Sequence, residues 1–505
     1  MTPRRGGGSL YVLLFIPYAL AAAAASTPVL SFALAWLGSI AIIWLTLSGK
    51  IKQLADGRSV LEQVLRPIVL TQLIFVTYAA LTSIFAFFEA DGYYYLTQRA
   101  GGLVDEEHLQ LLAEAQRFYV LAHAALAAGL LAGMDPKSTV AWRLRPSANV
   151  ATLLTVVASI CIASTIGLRL WGHAPQLAVR FETFGLVASV LSLVAALRSK
   201  QPMLMGINAA VYCTNLANAL LSGWKEEVIV VLLLLAVFAY PMYRRTVMLV
   251  TPVVLAALLV VLPAYNNLFR QLSWYGGTDR VTAARMAYSD LRAGDVDFVA
   301  STWEFLTTRA SEIELFTQYL RHTPAEHPYY GTTILRQALT GLVPRMLWPG
   351  KPSLETVAMQ RVYDNGVILR ESSTVSAKPQ FIVDAYLSGG AIGIVIACFL
   401  YGLIASLAAR LGERWFGGYL IGSGLVYNAL LMSLWRGNAF EFLLNDVMWG
   451  YLIMTTLFFV GRESGWLVRA QPIVAPPRAV GLARPTPAEA APAAPAASSR
   501  PVPES

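Results

Sequence analysis

From Val228 to Ala239 the chain reads VIVVLLLLAVFA, twelve residues without one polar side chain. Runs of this kind recur from the N-terminus to about residue 461, and many approach the ~18–20 residues needed to cross the hydrocarbon core of a bilayer. A chain of 505 residues has room for several soluble domains, but only 13% of this one is charged, against about 25% in a typical soluble domain. A membrane β-barrel would show segments of about ten residues alternating apolar and polar, and these runs do not alternate. The fold class that follows is an all-α polytopic membrane protein.

Twelve spans are expected, at 10–25, 28–48, 68–88, 118–134, 150–168, 182–197, 203–222, 226–243, 247–264, 382–409, 418–434 and 446–461. The seventh is interrupted by Asn208, Asn215 and Asn218, which are costly in lipid unless they face protein or water. Loop charges set the orientation, because Lys and Arg are retained on the cytoplasmic side. One set of loops carries Arg4, Arg5, Lys50, Lys52, Arg58, Arg66, Lys137, Arg143, Arg145, Arg198, Lys200, Arg244, Arg245, Arg410 and Arg414; the other carries only Arg99, Arg117, Arg169, Arg180, Lys225 and Arg436. Both termini are therefore expected in the cytoplasm, and the net charge of +8 reads as retained loop cations rather than as a nucleic-acid surface.

The organisation that results is spans 1–9 in residues 1–264, an external helical segment 265–381, spans 10–12 in 382–461, and a Pro/Ala-rich tail 462–505 that is expected to be disordered and cytoplasmic. The segment 265–381 is too long for a structureless loop. Val299–Leu306, Glu312–Leu320 and Thr332–Leu342 have helical periodicity, the last ended by Pro344. The loop 89–117 is also external and ends in an amphipathic helix that leads into span 4. Arg4-Arg5 followed by an apolar run reads as an uncleaved first span, because hydrophobic segments continue directly after it. Cys161, Cys213 and Cys398 lie far apart in apolar runs with no metal-ligand spacing.

Chemistry is expected in the external segment, above all between Tyr330 and Tyr386. Cations near predicted membrane ends are Lys225, Arg309, Arg336, Arg345, Lys351, Lys378 and Arg436. Arg suits bidentate phosphate contact and Lys acts as a point charge. Arg345 and Lys351 stand in VPRMLWPGKP, where Pro344, Pro349 and Pro352 stiffen the backbone and so hold a charge in place. Trp348, between them, serves either as an interfacial aromatic or as a stacking surface for a sugar. Carboxylates available as a general base are Glu304, Glu312, Glu314, Glu355, Asp384, Glu441 and Asp446, with Asp384 singled out because it opens an apolar span ahead of Tyr386 and Gly389-Gly390. His322 and His327 lack zinc spacing, and there is no phosphate-binding loop or dinucleotide fingerprint.

In order along the chain, Thr308-Arg309, Tyr330-Gly331-Thr332, Val343 to Pro352, Asp384-Ala385-Tyr386 through Gly390 and Gly393, and Trp435-Arg436-Gly437-Asn438 form a constellation. It resembles the Wzy-type oligosaccharide repeat-unit polymerases of O-antigen and exopolysaccharide synthesis. The resemblance covers residues 300–440 best and the first eight spans by hydropathy alone. Asp384 stands where the family usually has Glu, one methylene longer. Ser222-Gly223-Trp224-Lys225 lies near where many relatives have Ser-Arg, and Lys cannot reproduce bidentate contact.

The resemblance implies a GT-C-type glycosyltransferase of the bacterial inner membrane. It would pass a growing glycan from undecaprenyl pyrophosphate to a new lipid-linked repeat unit on the periplasmic face, with membrane lipids around it and a chain-length regulator as a partner. Arg345, Lys351 and Asp384 would be catalytic. Lys225, Arg309, Arg336, Lys378, Arg436, Trp348 and Tyr386 would bind substrate and pyrophosphate. No cofactor and no metal are expected. Two readings stay open beside it: an O-antigen ligase acting on lipid A core, and a transporter of lipid-linked glycans.

Overall fold

The computed structural model describes residues 8–92, 104–137, 139–145, 149–172, 175–294, 296–343, 347–369 and 378–470. After a 3-10 turn at Gly8–Leu14 come α1 (Ile16–Ala23), α2 (Pro28–Leu47), α3 (Pro67–Ala90), α4 (Glu106–Gly133), α5 (Val150–Trp171), α6 (Pro175–Ser199), α7 (Pro202–Leu220), α8 (Lys225–Ala239) and α9 (Arg244–Arg270). Helices α2, α3 and α7 open on a proline, whose fixed φ and missing N–H suit a first helical position. The long segment between α9 and α15, expected to be external, then forms α10 (Arg280–Ala293), α11 (Phe298–Thr308), α12 (Ile313–His322), α13 (Thr333–Thr340) and α14 (Leu354–Asp364). Asp279, Asp297 and Ser353 cap α10, α11 and α14 by accepting from backbone N–H groups of the first turn. Helices α15 (Phe381–Trp415) and α16 (Phe440–Glu463) complete the bundle.

The protein is all-α and polytopic by its helices: α2, α3, α4, α5, α6, α9, α15 and α16 are each long and apolar enough to cross a membrane. The other four expected spans are shorter, more polar or broken. Residues 10–25 divide between the 3-10 turn and α1, and α8 has 15 residues. Residues 418–434 divide into a π-helical stretch at Tyr419–Tyr427 and the short helices Asn428–Leu430 and Ser433–Arg436. In α7 the amide of Asn208 is buried and donates to Thr155 Oγ1 on α5 at 2.9 Å, so the polar interruption is satisfied by a neighbouring helix.

Helix α4 is the axis. Its amphipathic start at Glu106 runs unbroken into the expected fourth span, and 83% of its apolar window is buried. It packs on α15 at backbone distance: a Cβ on Gly129 would stand 2.0 Å from Phe399 O, and one on Gly402 2.3 Å from Leu126 O. Small residues at such crossings let two backbones meet in lipid, where no hydrophobic drive separates helix from tail.

Helix α15 is not one rod. Gly389 is extended in φ and Gly390 lies at φ 59°, ψ −140°. The chain turns back there, so that the rings of Phe381 and Tyr401 come within 4.7 Å; in a straight helix residues twenty apart would be about 30 Å apart. The expected span 382–409 thus begins as a short arm, Phe381–Ser388, folded against the long arm. The expected tail boundary at 462 also moves. Leu467–Arg469 (β2) pairs antiparallel with Trp142–Leu144 (β1), so the folded chain continues through Arg469. Residues 471–505 of the tail lie outside the described residues.

Candidate active site

Helix α8 begins with Lys225, Glu226 and Glu227. Acids suit the positive end of a helix; a lysine there is held against the dipole. Lys225 is nevertheless half-buried, its Nζ 3.7 Å over the Phe305 ring of α11. Burial, with Arg270 and Arg309 alongside, pushes its ammonium down to about 8, and Glu304 offsets this in part. Arg270 ends α9 and donates through Nε to Gly223 O at 3.0 Å. Arg309 follows the last turn of α11. Three helices therefore bring three cations to one place, an arrangement that costs energy and that an anion would relieve.

A carboxylate stands at the Arg309 side of this cluster. Glu312 caps α12 from a left-handed backbone, φ 52° and ψ 18°, which a non-glycine side chain adopts at a cost of roughly 1–3 kcal/mol. Gln380 Nε2 donates to its Oε2 at 3.0 Å, and the Tyr78 hydroxyl also bonds to it. Burial raises the Glu312 carboxyl above its usual range, against the lowering pull of Tyr78, Gln380 and Arg309; Glu226 adds to the rise. Tyr78 stands in a π-helical turn, Val76–Leu81, within α3. Although protein atoms crowd it, 38% of Tyr78 is open, because it lines a cleft.

That cleft holds about 490 Å³, counting space open to solvent, and has a polar rim of Tyr78, Gln380 and Arg436. Its inner wall is apolar: Ile74, Phe75, Leu126, Ile382 and Cys398. Arg436 Nε lies 2.6 Å from Glu226 Oε1, at ion-pair distance but out of line for a hydrogen bond. Through Glu226 and Glu312 the cleft rim joins the Lys225–Arg270–Arg309 cluster.

A second charged group lies beside it, sealed from solvent. Arg361 of α14 donates to Glu441 Oε1 at 2.6 Å and Oε2 at 3.0 Å, and to Asp384 Oδ2 at 3.0 Å. All three residues are at most 1% exposed. Asp384 also accepts from the backbone N–H of Phe440 at 2.9 Å. The acids raise the Arg361 guanidinium further above its ordinary value, against desolvation by burial. This group fastens α14 to the first turns of α15 and α16.

Residues 16–469 match a family model described as a domain of unknown function, DUF8712. The chain belongs to the DUF8712 family. No curated protein and no solved structure gives a significant match. The DUF8712 match spans every described helix from α1 to α16 and both charged groups.

Within the DUF8712 domain the residues expected from sequence separate. Lys225, Arg309 and Arg436 converge on the cluster and cleft. Asp384 does not: it is fully buried and ion-paired with Arg361, away from the cluster. Lys351 is 6% exposed, and its Nζ donates to Gly341 O and Val343 O, the carbonyls left open after α13. Tyr386 is also buried, its hydroxyl donating to Thr323 O at 2.7 Å among the rings of Phe118, Phe316 and Tyr329. These two turn inward because carbonyls and aromatic rings there offer them partners that solvent would otherwise supply. Arg336 and Trp348 are exposed, and Lys378 lies 3.9 Å from Glu355 and over the Phe442 ring. Arg345 lies outside the described residues.

Arg270, Gln380, Tyr78 and Arg361 were not singled out in the sequence. Glu312 appeared there as one carboxylate among seven. Among the described residues no three His, Cys, Asp or Glu side chains gather as a metal site. What the cluster offers chemically is a fixed positive field next to a carboxyl poised above its usual range, a pairing suited to an anionic leaving group and a proton acceptor.

Proposed function

We propose that this chain transfers a glycan from a polyprenyl pyrophosphate carrier to a hydroxyl of a second lipid-linked glycan, as a repeat-unit polymerase of the bacterial inner membrane. The observation that carries the reading is the convergence of Lys225, Arg270 and Arg309 beside Glu312. The acceptor oxygen attacks the anomeric carbon and gives its proton to Glu312. The bond from that carbon to the pyrophosphate oxygen breaks, and its electron pair leaves on the pyrophosphate, whose growing charge the three cations meet. Removing a positioned donor of this sort commonly costs ~2.7–4 kcal/mol in barrier.

The reading takes the chain to be GT-C-like with twelve crossings, both termini cytoplasmic and the cleft outside. The loop-charge asymmetry supports that orientation. The test is reconstitution in proteoliposomes with a defined undecaprenyl-pyrophosphate repeat unit, resolved on a glycan gel. Ladders from the unmodified chain, with single units from Glu312→Gln and from Arg309→Ala, are the expected result. Polymer from both variants at the unmodified rate sinks the site. In cells, single repeat units on lipid A core after deletion support a polymerase, whereas a core free of glycan supports a ligase.

A further inference from the structure

Trp224 and Trp274 stand next to the cation cluster with ring centroids 5.2 Å apart, tilted by 53°. They are 50% and 40% exposed. One guanidinium, that of Arg270, sits 5.1 Å from the first ring and 4.4 Å from the second. Gly223, at φ +74°, lets the turn close in: a Cβ there would stand 3.0 Å from the Phe269 ring and 3.3 Å from Trp274. Arg270 is in turn bound to the Gly223 carbonyl. An aromatic that only anchors a helix at the lipid interface has no need of such fastening. These two rings are held in fixed orientation by a residue that also borders Lys225.

Resting on the function proposed above, we infer that Trp224 and Trp274 form a stacking platform for the pyranose ring that the pyrophosphate carries. The ligand matches in two parts. Its phosphates face Lys225, Arg270 and Arg309. Its ring, one glycosidic bond away, lays axial C–H groups on the electron-rich faces of the tryptophans. Stacking tolerates different sugars because it reads a ring face rather than a hydroxyl pattern, while the cations supply attraction common to every carrier.

The test uses the full chain in nanodiscs and two ligands: farnesyl pyrophosphate, and farnesyl pyrophosphate bearing N-acetylglucosamine. The unmodified chain should bind the sugar-bearing lipid about tenfold more tightly. Trp224→Leu with Trp274→Leu should erase that preference and leave affinity for the bare lipid within about twofold. Trp274→Tyr, which keeps a ring, should retain part of the preference and shows that the site still folds. Equal affinity of the unmodified chain for both lipids overturns the platform while leaving the pyrophosphate site standing. Equal loss of both lipids in the double variant also overturns it, since the rings then support the cluster rather than the sugar. Failure of farnesyl pyrophosphate to bind the unmodified chain at all sinks the pyrophosphate site, and the platform with it.

Discussion

Glu312 and Lys225 are each held away from their usual protonation, in opposite senses. The raised Glu312 carboxyl favours its proton, so its ionisation opposes folding: the chain loses stability as pH climbs from the ordinary carboxylate range through the raised value. Glu312→Gln should therefore melt at a higher temperature than the unmodified chain at pH 8, with the difference vanishing in acid. The same change should cut turnover by about 10²–10⁴ with little change in KM. The rate of the unmodified chain should rise as Glu312 ionises and fall as Lys225 loses its proton near pH 8, giving a bell. Lys225→Arg, which cannot discharge in that range, should extend the alkaline limb; a limb unmoved by that change removes Lys225 from the reaction.

At the scale of elements, the contacts that matter are backbone against backbone and charge against charge. A leucine at Gly129 or Gly402 would meet a carbonyl oxygen that cannot give way. Either change should prevent recovery of a monodisperse protein on size exclusion, whereas Gly206→Ala, with open space around it, should not. Arg361→Leu strands Asp384 and Glu441 in a dry interior and should cost about 3–5 kcal/mol, read as thermal shift in detergent. Helices α11, α12 and α13 were legible in the sequence because helical periodicity is a local signal. The reversal at Gly389-Gly390 was not, since an apolar run from Phe381 onward reads as one rod until Tyr329 and Phe381 are known to need the space. Arg270 and Arg361 show the same limit. In the sequence both are single cations in the external segment, and only packing sets one among cations and the other between acids.

For the whole molecule, apolar runs carry most of what the chain announces: helices long and apolar enough to cross a membrane, with a long polar helical segment between two of them. The sequence reading centred the expected chemistry on VPRMLWPGKP, whereas the observed cation cluster draws on α8, α9 and the α11–α12 pair. Orientation is testable directly. In a chain with Cys161, Cys213 and Cys398 replaced, a cysteine at exposed Thr332 should react with a membrane-impermeant maleimide from outside the cell, and one at Lys137 only after permeabilisation. The reverse pattern would turn the cleft to the cytoplasm. A last consequence concerns time. Strand β1 follows α4, yet its partner β2 is the last described element of the chain. During synthesis Trp142 must wait for every later described helix before Phe458 and Arg469 arrive to cover it. The end of the bundle away from the cleft is thus fastened only after the last helix has been made, and a nonsense codon between Leu144 and Leu467 leaves that clasp open for quality-control proteases to find.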